Sequence, residues 1–303
     1  MQGVYGNDMN RHSVNYNVDA NAMENFSHEV QLGIFRKMAK LRRFEDQVVK
    51  VSNTGKIKVK VHMSSGQEAV GAAIAQVAAD YQIFTQHRSM DTFLALGGNP
   101  EKLRDEILCL DTGCCGGRIG GAFQIHEHGI DMYAHTGLIG ENVSVGVGMA
   151  FGNGRKTLCL FGDGAAEEDY VLEAFGFAAT HKLPVLFVCT DNELSVLSPK
   201  KKRRSWELTD VCKGFGIAAV DLADDPFTVM YHIKNFENKL PALINVRVCR
   251  NYWHAGTGID NPPAWDRYEL LKSALIAQGY GEQIEAIEDE CSVQMEDLWQ
   301  KYL

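Results

Sequence analysis

No apolar run in the 303-residue sequence approaches the ~20 residues needed to cross a bilayer, and the N-terminus has no signal-peptide core. With no membrane segment, the expected setting is cytoplasmic. Basic charge is in deficit: 30 Lys and Arg stand against 39 Asp and Glu, a net charge of −9 at pH 7. Phosphate contacts need a dense basic face, so nucleic acid is not the expected partner. Among eight cysteines there is no C-x-x-C pair, which removes the common zinc and redox-dithiol patterns. Cys159, Cys189 and Cys249 lie inside apolar strand-like runs, where a reduced thiol behaves as a small hydrophobe. The adjacent Cys114 and Cys115 read as a coincidence of sequence rather than a switch. There is no internal repeat and no low-complexity block. "GVGMAFG" lacks both the G-x-G-x-x-G spacing and a preceding strand, so it reads as a tightly packed helix and not as a dinucleotide loop.

What is present is an ordinary globular composition, 45% hydrophobic and 23% charged. Residues 1–25 are polar and without periodicity, and are expected to be a mobile arm. From Phe26 the apolar spacing predicts a long amphipathic helix, followed by a small-faced helix in "GQEAVGAAIAQVAA" and one opened by Pro100. Strand "TLCLF", a helix from about Glu168 to His181 and strand "PVLFVCT" come next. Strand "GIAAV", helix "PFTVMYHIKNFEN" and strand "ALINVRV" follow. Short apolar strands alternating with helices predict an α/β fold with a doubly wound, mostly parallel sheet and helices on both faces. From Ala264 the tail reads as two acidic amphipathic helices, so residues 26–303 form one domain.

The stretch "FGDGAAEED" joins a glycine turn to four carboxylates. In a parallel sheet, ligands sit beyond the carboxyl ends of the strands. Asp163 directly follows "TLCLF" and Asn192 directly follows "PVLFVCT", with one helix between them, so both are expected on the same rim. Carboxylate and carboxamide oxygens are hard ligands, suited to Mg²⁺ or Ca²⁺. The bland alternative is a helix cap and a turn. Glu167, Glu168 and Asp169 read as acids facing a positive helix start. "PKKKRRSWE" at 199–207 is the one basic run. It is either a solvated loop or a docking face for an acidic carrier domain.

"GDG" at 162–164 and "DN" at 191–192 resemble the thiamine-diphosphate motif. The wider sequence resembles the α subunit of the decarboxylating component of 2-oxo acid dehydrogenases, of the pyruvate and acetoin dehydrogenase type. The likeness runs from about Phe26 to Asp260 through "LRRFEDQV", "HMSSGQEAV", "QHRSMDTFLALGGNPEKL", "GRIGGAFQIH", "GLIGENVSVGVGMAFG", "EAFGFAATHKLPVLFV" and "CRNYWHAGTGID", in the family's order.

The resemblance implies a thiamine-diphosphate-binding fold and two cofactors, thiamine diphosphate and Mg²⁺. It implies metal ligation by Asp163, Asn192 and the carbonyl of Leu194. Gly162, Gly164 and Ala165 would hold the diphosphate by the backbone, Arg88 and His87 would clamp its oxygens, and Gly137 and Ile139 would meet the aminopyrimidine. His254 would sit near the diphosphate and the reacting centre, and His126 near the active-site mouth. A metal cluster of His126, His128 and His135 is conceivable, although lone histidines are commoner. Four positions depart from the family pattern: Asp191 for asparagine, Asp169 for glycine, Met90 for a second histidine, and "WHAGTG" for Gly-His-Ser.

The chain has length for only the diphosphate domain, so the activating glutamate is expected from a β-like subunit, in an α2β2 assembly. A lipoyl or acyl carrier domain would accept the product. Transketolase-like ketol transfer and a non-catalytic scaffold remain open alternatives.

Overall fold

Strands apolar on both faces must be covered on both faces. The chain meets this requirement in a computed structural model that describes residues 13–118, 125–133, 137–259 and 263–303. Six strands form one sheet: β1 (Gln82–Phe84), β2 (Met132–Tyr133), β3 (Thr157–Gly162), β4 (Val185–Asp191), β7 (Ala218–Ala223) and β8 (Ala242–Arg247). Their order is β2-β1-β3-β4-β8-β7, and every neighbouring pair is parallel. A separate antiparallel hairpin pairs β5 (Leu194–Ser195) with β6 (Ser198–Pro199).

Side chains alternate across a strand, so each strand feeds two cores. Leu158, Leu160, Leu186, Val188 and Ile244 face one core, which also holds α1 (His28–Asn53), α2 (Glu68–Val77) and α9 (Pro226–Phe236). Cys159, Phe161, Val185, Phe187 and Cys189 face the other, against α5 (Glu141–Asn153), α6 (Asp169–His181) and α8 (Leu208–Gly214). A third cluster joins the second half of α1 to α3 (Met90–Ala95), α4 (Pro100–Ile107) and the end of α11 (Gly281–Trp299). Among the described residues the remaining α-helices are the short α7 (Lys200–Arg203) and α10 (Arg267–Ala277). The doubly wound, parallel expectation is met, and so are the helix in "GVGMAFG" and the two helices of the tail.

The expected arm at 1–25 differs from the structure where it is described. Tyr16 O accepts from Ala223 N at 2.8 Å, Asn17 Nδ2 donates to Asp221 O at 2.7 Å, and Ala22 is buried. Residues 13–25 therefore extend the hydrogen bonding of the β7 edge, which explains why a polar segment packs. Residues 1–12 lie outside the described residues.

The chain runs from β1 outward to β2, then returns through α5 to β3 on the opposite side of β1. That reversal is a topological switch point, and it leaves a crevice at the carboxyl ends of β1 and β3.

Candidate active site

A cavity of about 330 Å³ opens at this switch point. Its first wall comes from the ends of β3 and β4. Asp163 lines it at 2% exposure, followed by Gly164, Asn192 and Leu194. The loop after β4 is shaped by its own side chains: Asn192 Oδ1 accepts from Leu194 N at 3.0 Å, and Asp191 Oδ1 accepts from Glu193 N at 3.0 Å. Glycine is needed beside it. A Cβ on Gly164 would fall 2.8 Å from Ser195 Oγ, and one on Gly162 would fall 3.1 Å from Gln86 Oε1. Backbone thus comes close to the cavity where a side chain would fill it.

This wall carries its own cations. Arg203 pairs with Asp163 and also with Glu167, the latter at 2.5 Å, while Arg204 Nη1 donates to Asp163 O at 3.1 Å. Lys200 Nζ lies 2.7 Å from Asp191 Oδ2. Burial, with the Asp191 charge, pushes the Asp163 carboxyl up to about 7 against the pull of both arginines. Burial also pushes Asp191 up, but Lys200 outweighs it and holds the group below the ordinary carboxylate value. The aspartate at the family's asparagine position is thereby explained, because its charge is met by a buried lysine.

The second wall is basic. Arg88, 3% exposed, donates from Nη2 to His254 O at 3.0 Å and from Nη1 to Met63 O. Burial first, then the neighbouring Arg250, bring its guanidinium down to about 10, so it stays charged at neutral pH. His62, His87 and His254 cluster beside it with ring centroids 4.7 to 5.3 Å apart. Burial, then the charges of Arg88, Arg250 and Lys60, push the His254 imidazole down to about 4. These charges suit an anion.

The loop carrying His62 is held from below. Glu45 on α1 accepts from Ser64 N and Ser65 N at 2.5 and 2.9 Å. Glu68 accepts from Gly66 N at 2.5 Å and pairs with Arg42, which also binds Asp266 at 2.8 Å. A Cβ on Gly66 (φ 98°) would meet Asn251 Oδ1 at 2.6 Å, so this loop can close against the segment bearing His254. Gly256 N completes the join by donating to Val61 O at 2.7 Å.

His87, Arg88, Gly137, Ile139, Gly162, Asp163, Gly164, Asn192, Leu194 and His254 therefore share one cavity. Ala165 is buried next to Gly164 and does not line it. His126 is not among the lining residues either. Its Nδ1 donates to Met132 O at 3.0 Å and its ring stacks on Tyr133. His135 lies outside the described residues, as does part of "GRIGGAFQIH".

The basic run is largely turned inward: Lys200 and Arg204 are buried and Arg203 is half-buried, while Lys201 and Lys202 are exposed. A docking face built on the whole run is excluded by this alternation. Glu167 is a first-turn acid of a short 3-10 helix, Ala165–Glu167, as expected, and in addition an ion-pair partner of Arg203. Sequence reasoning missed His62, Lys60, Gln67 and Arg250, all of which line the cavity. "HMSSGQEAV" contained the signal for two of them.

The donor set fits a hard divalent cation joined to a phosphate. The buried carboxylate of Asp163 and the carboxamide of Asn192 line the same cavity as Leu194, the Arg88 guanidinium and the imidazoles of His62, His87 and His254. Gln67 Oε1, buried on the cavity, has no hydrogen-bond partner among the described residues, which leaves it available to a bound molecule.

Comparison with known proteins agrees with this geometry. Residues 36–274 match the family described as dehydrogenase E1 component. The chain is similar to pyruvate dehydrogenase E1 component subunit alpha of Rickettsia prowazekii, at 31% identity over 237 residues, covering 73% of this chain and 72% of that one. The Rhizobium meliloti protein of the same name is 34% identical over 56% of this chain and 51% of its own. The mitochondrial one of Dictyostelium discoideum is 32% identical over 56% and 46%.

Proposed function

The chain belongs to the dehydrogenase E1 component family, and from that premise we propose how its cavity serves the reaction. It is an α-type subunit of a thiamine-diphosphate-dependent enzyme that decarboxylates a 2-oxo acid. Similarity to the Rickettsia protein supports pyruvate as that acid. When bound, the cofactor supplies the electron sink for decarboxylation.

The chain's own residues bind and orient. Asp163, Asn192 and the Leu194 carbonyl would hold Mg²⁺, whose remaining positions would go to water and phosphate oxygen. Arg88 and His87 would receive the diphosphate, and Gly164 lets backbone approach it. The imidazole of His254, kept neutral by burial and the cations around it, would hydrogen-bond and orient groups beside the diphosphate. A β-type subunit would complete the site with the activating glutamate, and a lipoyl carrier would take the acyl fragment.

One observation carries this reading: oxygen donors from two adjacent strand ends share a cavity with Arg88 and a cluster of three histidines. The test is co-purification with the β-type subunit, calorimetric titration with thiamine diphosphate and Mg²⁺, and CO₂ release from a panel of 2-oxo acids. Metal-dependent cofactor binding and CO₂ from pyruvate are expected. No binding with the partner present would overturn the assignment. Turnover of phosphosugar ketols alone would favour ketol transfer.

A further inference from the structure

Beyond the cavity, the segment following α4 brings together three groups that the reaction does not use. Gly116 N donates to Gly113 O at 2.9 Å, closing a β-turn whose two central residues are Cys114 and Cys115. Gly116 and Gly117 follow at φ 71° and 68°, and a Cβ on Gly117 would collide with the Leu110 carbonyl. Glycine is thus required to turn the chain here. Glu106, buried on α4, anchors the turn: its Oε2 accepts from Cys115 N at 2.8 Å and from Gly117 N at 2.9 Å. The two Sγ atoms and a carboxylate oxygen of Glu106 all lie within 4.8 Å of one another. None of the three residues lines the cofactor cavity.

We propose that Glu106, Cys114 and Cys115 form a second cation site, separate from the cavity, for a soft divalent cation of the Zn²⁺ or Cd²⁺ type. Ligand atoms on one tetrahedral ion lie roughly 3.5–4 Å apart, so small side-chain rotations bring all three into register. Thiolate sulfur selects such ions over Mg²⁺, whereas the oxygen wall of the cavity selects the reverse. A carboxylate has about four lone-pair sites, so Glu106 keeps its backbone hydrogen bonds while ligating. Those bonds supply the outer layer that orients a metal ligand. On binding, each thiol gives its proton to solvent and its sulfur lone pair to the cation, with no change of oxidation state. Hydrogen bonding from Cys114 lowers the Cys115 thiol below its ordinary value, which eases loss of its proton to a cation. The hydrogen bond to Cys115 and then burial hold the Cys114 thiol well above the ordinary value; a bound cation would displace that proton.

The test uses the full chain in a Cys109→Ser background, which removes the exposed neighbouring thiol. Titration with Cd²⁺ should raise the ultraviolet thiolate-to-metal absorption band with one equivalent bound. The band should vanish in Cys114→Ser and in Cys115→Ser, and the affinity should fall at least about tenfold in Glu106→Gln. Circular dichroism checks that each variant folds. In the unsubstituted chain, Zn²⁺ should protect Cys114 and Cys115 from alkylation, read by peptide mass mapping, whatever happens to the variants. A band that persists in either serine variant, or Zn²⁺ that leaves alkylation of both thiols unchanged, overturns the proposal.

Discussion

The two walls of the cavity carry opposite charge and are built in opposite ways. The acid wall comes from neighbouring strand ends and the loop between β4 and α7, within the forty-odd residues from Asp163 to Arg204. It neutralises itself: Arg203 takes Asp163 and Glu167, and Lys200 takes Asp191. The basic wall is assembled from three distant segments, around His62, Arg88 and His254. Within it, Arg88 donates to carbonyls, and the carboxylates that act on its charge, Glu45 and Asp91, are buried. The contrast separates two tasks. A wall that neutralises itself must release an internal cation before it accepts an external one, whereas the basic wall already presents charge to an anion.

The sharpest break in this comparison is to remove each wall's central charge. Asp163→Asn keeps an oxygen and loses the charge, so Mg²⁺-dependent affinity for thiamine diphosphate should fall at least about 100-fold, on the order of 3 kcal/mol. Arg88→Gln should cost about 10- to 30-fold, because hydrogen bonding survives while the charge-assisted contact to phosphate is lost. The two differ in kind as well as size. Excess Mg²⁺ should partly rescue Asp163→Asn and leave Arg88→Gln unimproved. Calorimetry across a metal series, with the β-type subunit present, reads both. Equal rescue of the two would remove the division of labour between the walls.

Next in size is the internal cation. Arg203→Gln frees Asp163 from the guanidinium that competes with a divalent ion, so Mg²⁺ affinity should rise about tenfold, or ~1.4 kcal/mol. Arg204, which donates to the Asp163 carbonyl and not to its carboxylate, remains in place. Titration at limiting metal, with saturating cofactor, distinguishes competition from support. A fall in affinity would mean that Arg203 organises the wall instead of occupying it.

The same contrast governs what was legible in the sequence. The acid wall follows from local pattern: a strand, a glycine turn, a helix, a strand, and a polar residue at each strand end. Buried on both faces, β3 and β4 are long enough to announce themselves as apolar runs. β1 and β2, at three and two residues, are too short for any periodicity, and they form only because longer neighbours present an edge. In the basic wall, His87, Arg88 and His254 were placed by resemblance alone and His62 was missed, because their meeting depends on tertiary closure at Gly66, which is not a local signal. In the run Lys200 to Arg204, composition gave the charge but not its direction. Only the short turn of α7 shows that Lys200 and Arg204 point inward while Lys201 and Lys202 point out. His126, placed by resemblance near the mouth, stacks on Tyr133, which stacks in turn on Phe84 of β1.

The last effect is on folding stability rather than on ligand affinity, and it concerns the acids behind the basic wall. Burial pushes the Glu45 carboxyl up to about 7 from an ordinary 4.5, against the pull of its Ser64 and Ser65 hydrogen bonds. The native chain therefore holds a proton that the unfolded chain releases between those values. The resulting stability is fully present below about pH 4.5 and is lost as pH rises through 7, with a slope of at most ~1.4 kcal/mol per pH unit. Asp91 is pushed up to about 7 by burial as well, so the two acids share the effect. Glu45→Gln imitates the protonated form, and it should flatten only part of the decline between about pH 5 and 8. Denaturant midpoints of the cofactor-free chain across that range measure it. Arg88 should stabilise the charged form of Glu45, so Arg88→Gln should steepen the decline that Glu45→Gln flattens. If both variants keep the slope of the parent chain, the buried acids do not balance the basic wall, and its charge is answered from the cavity side alone.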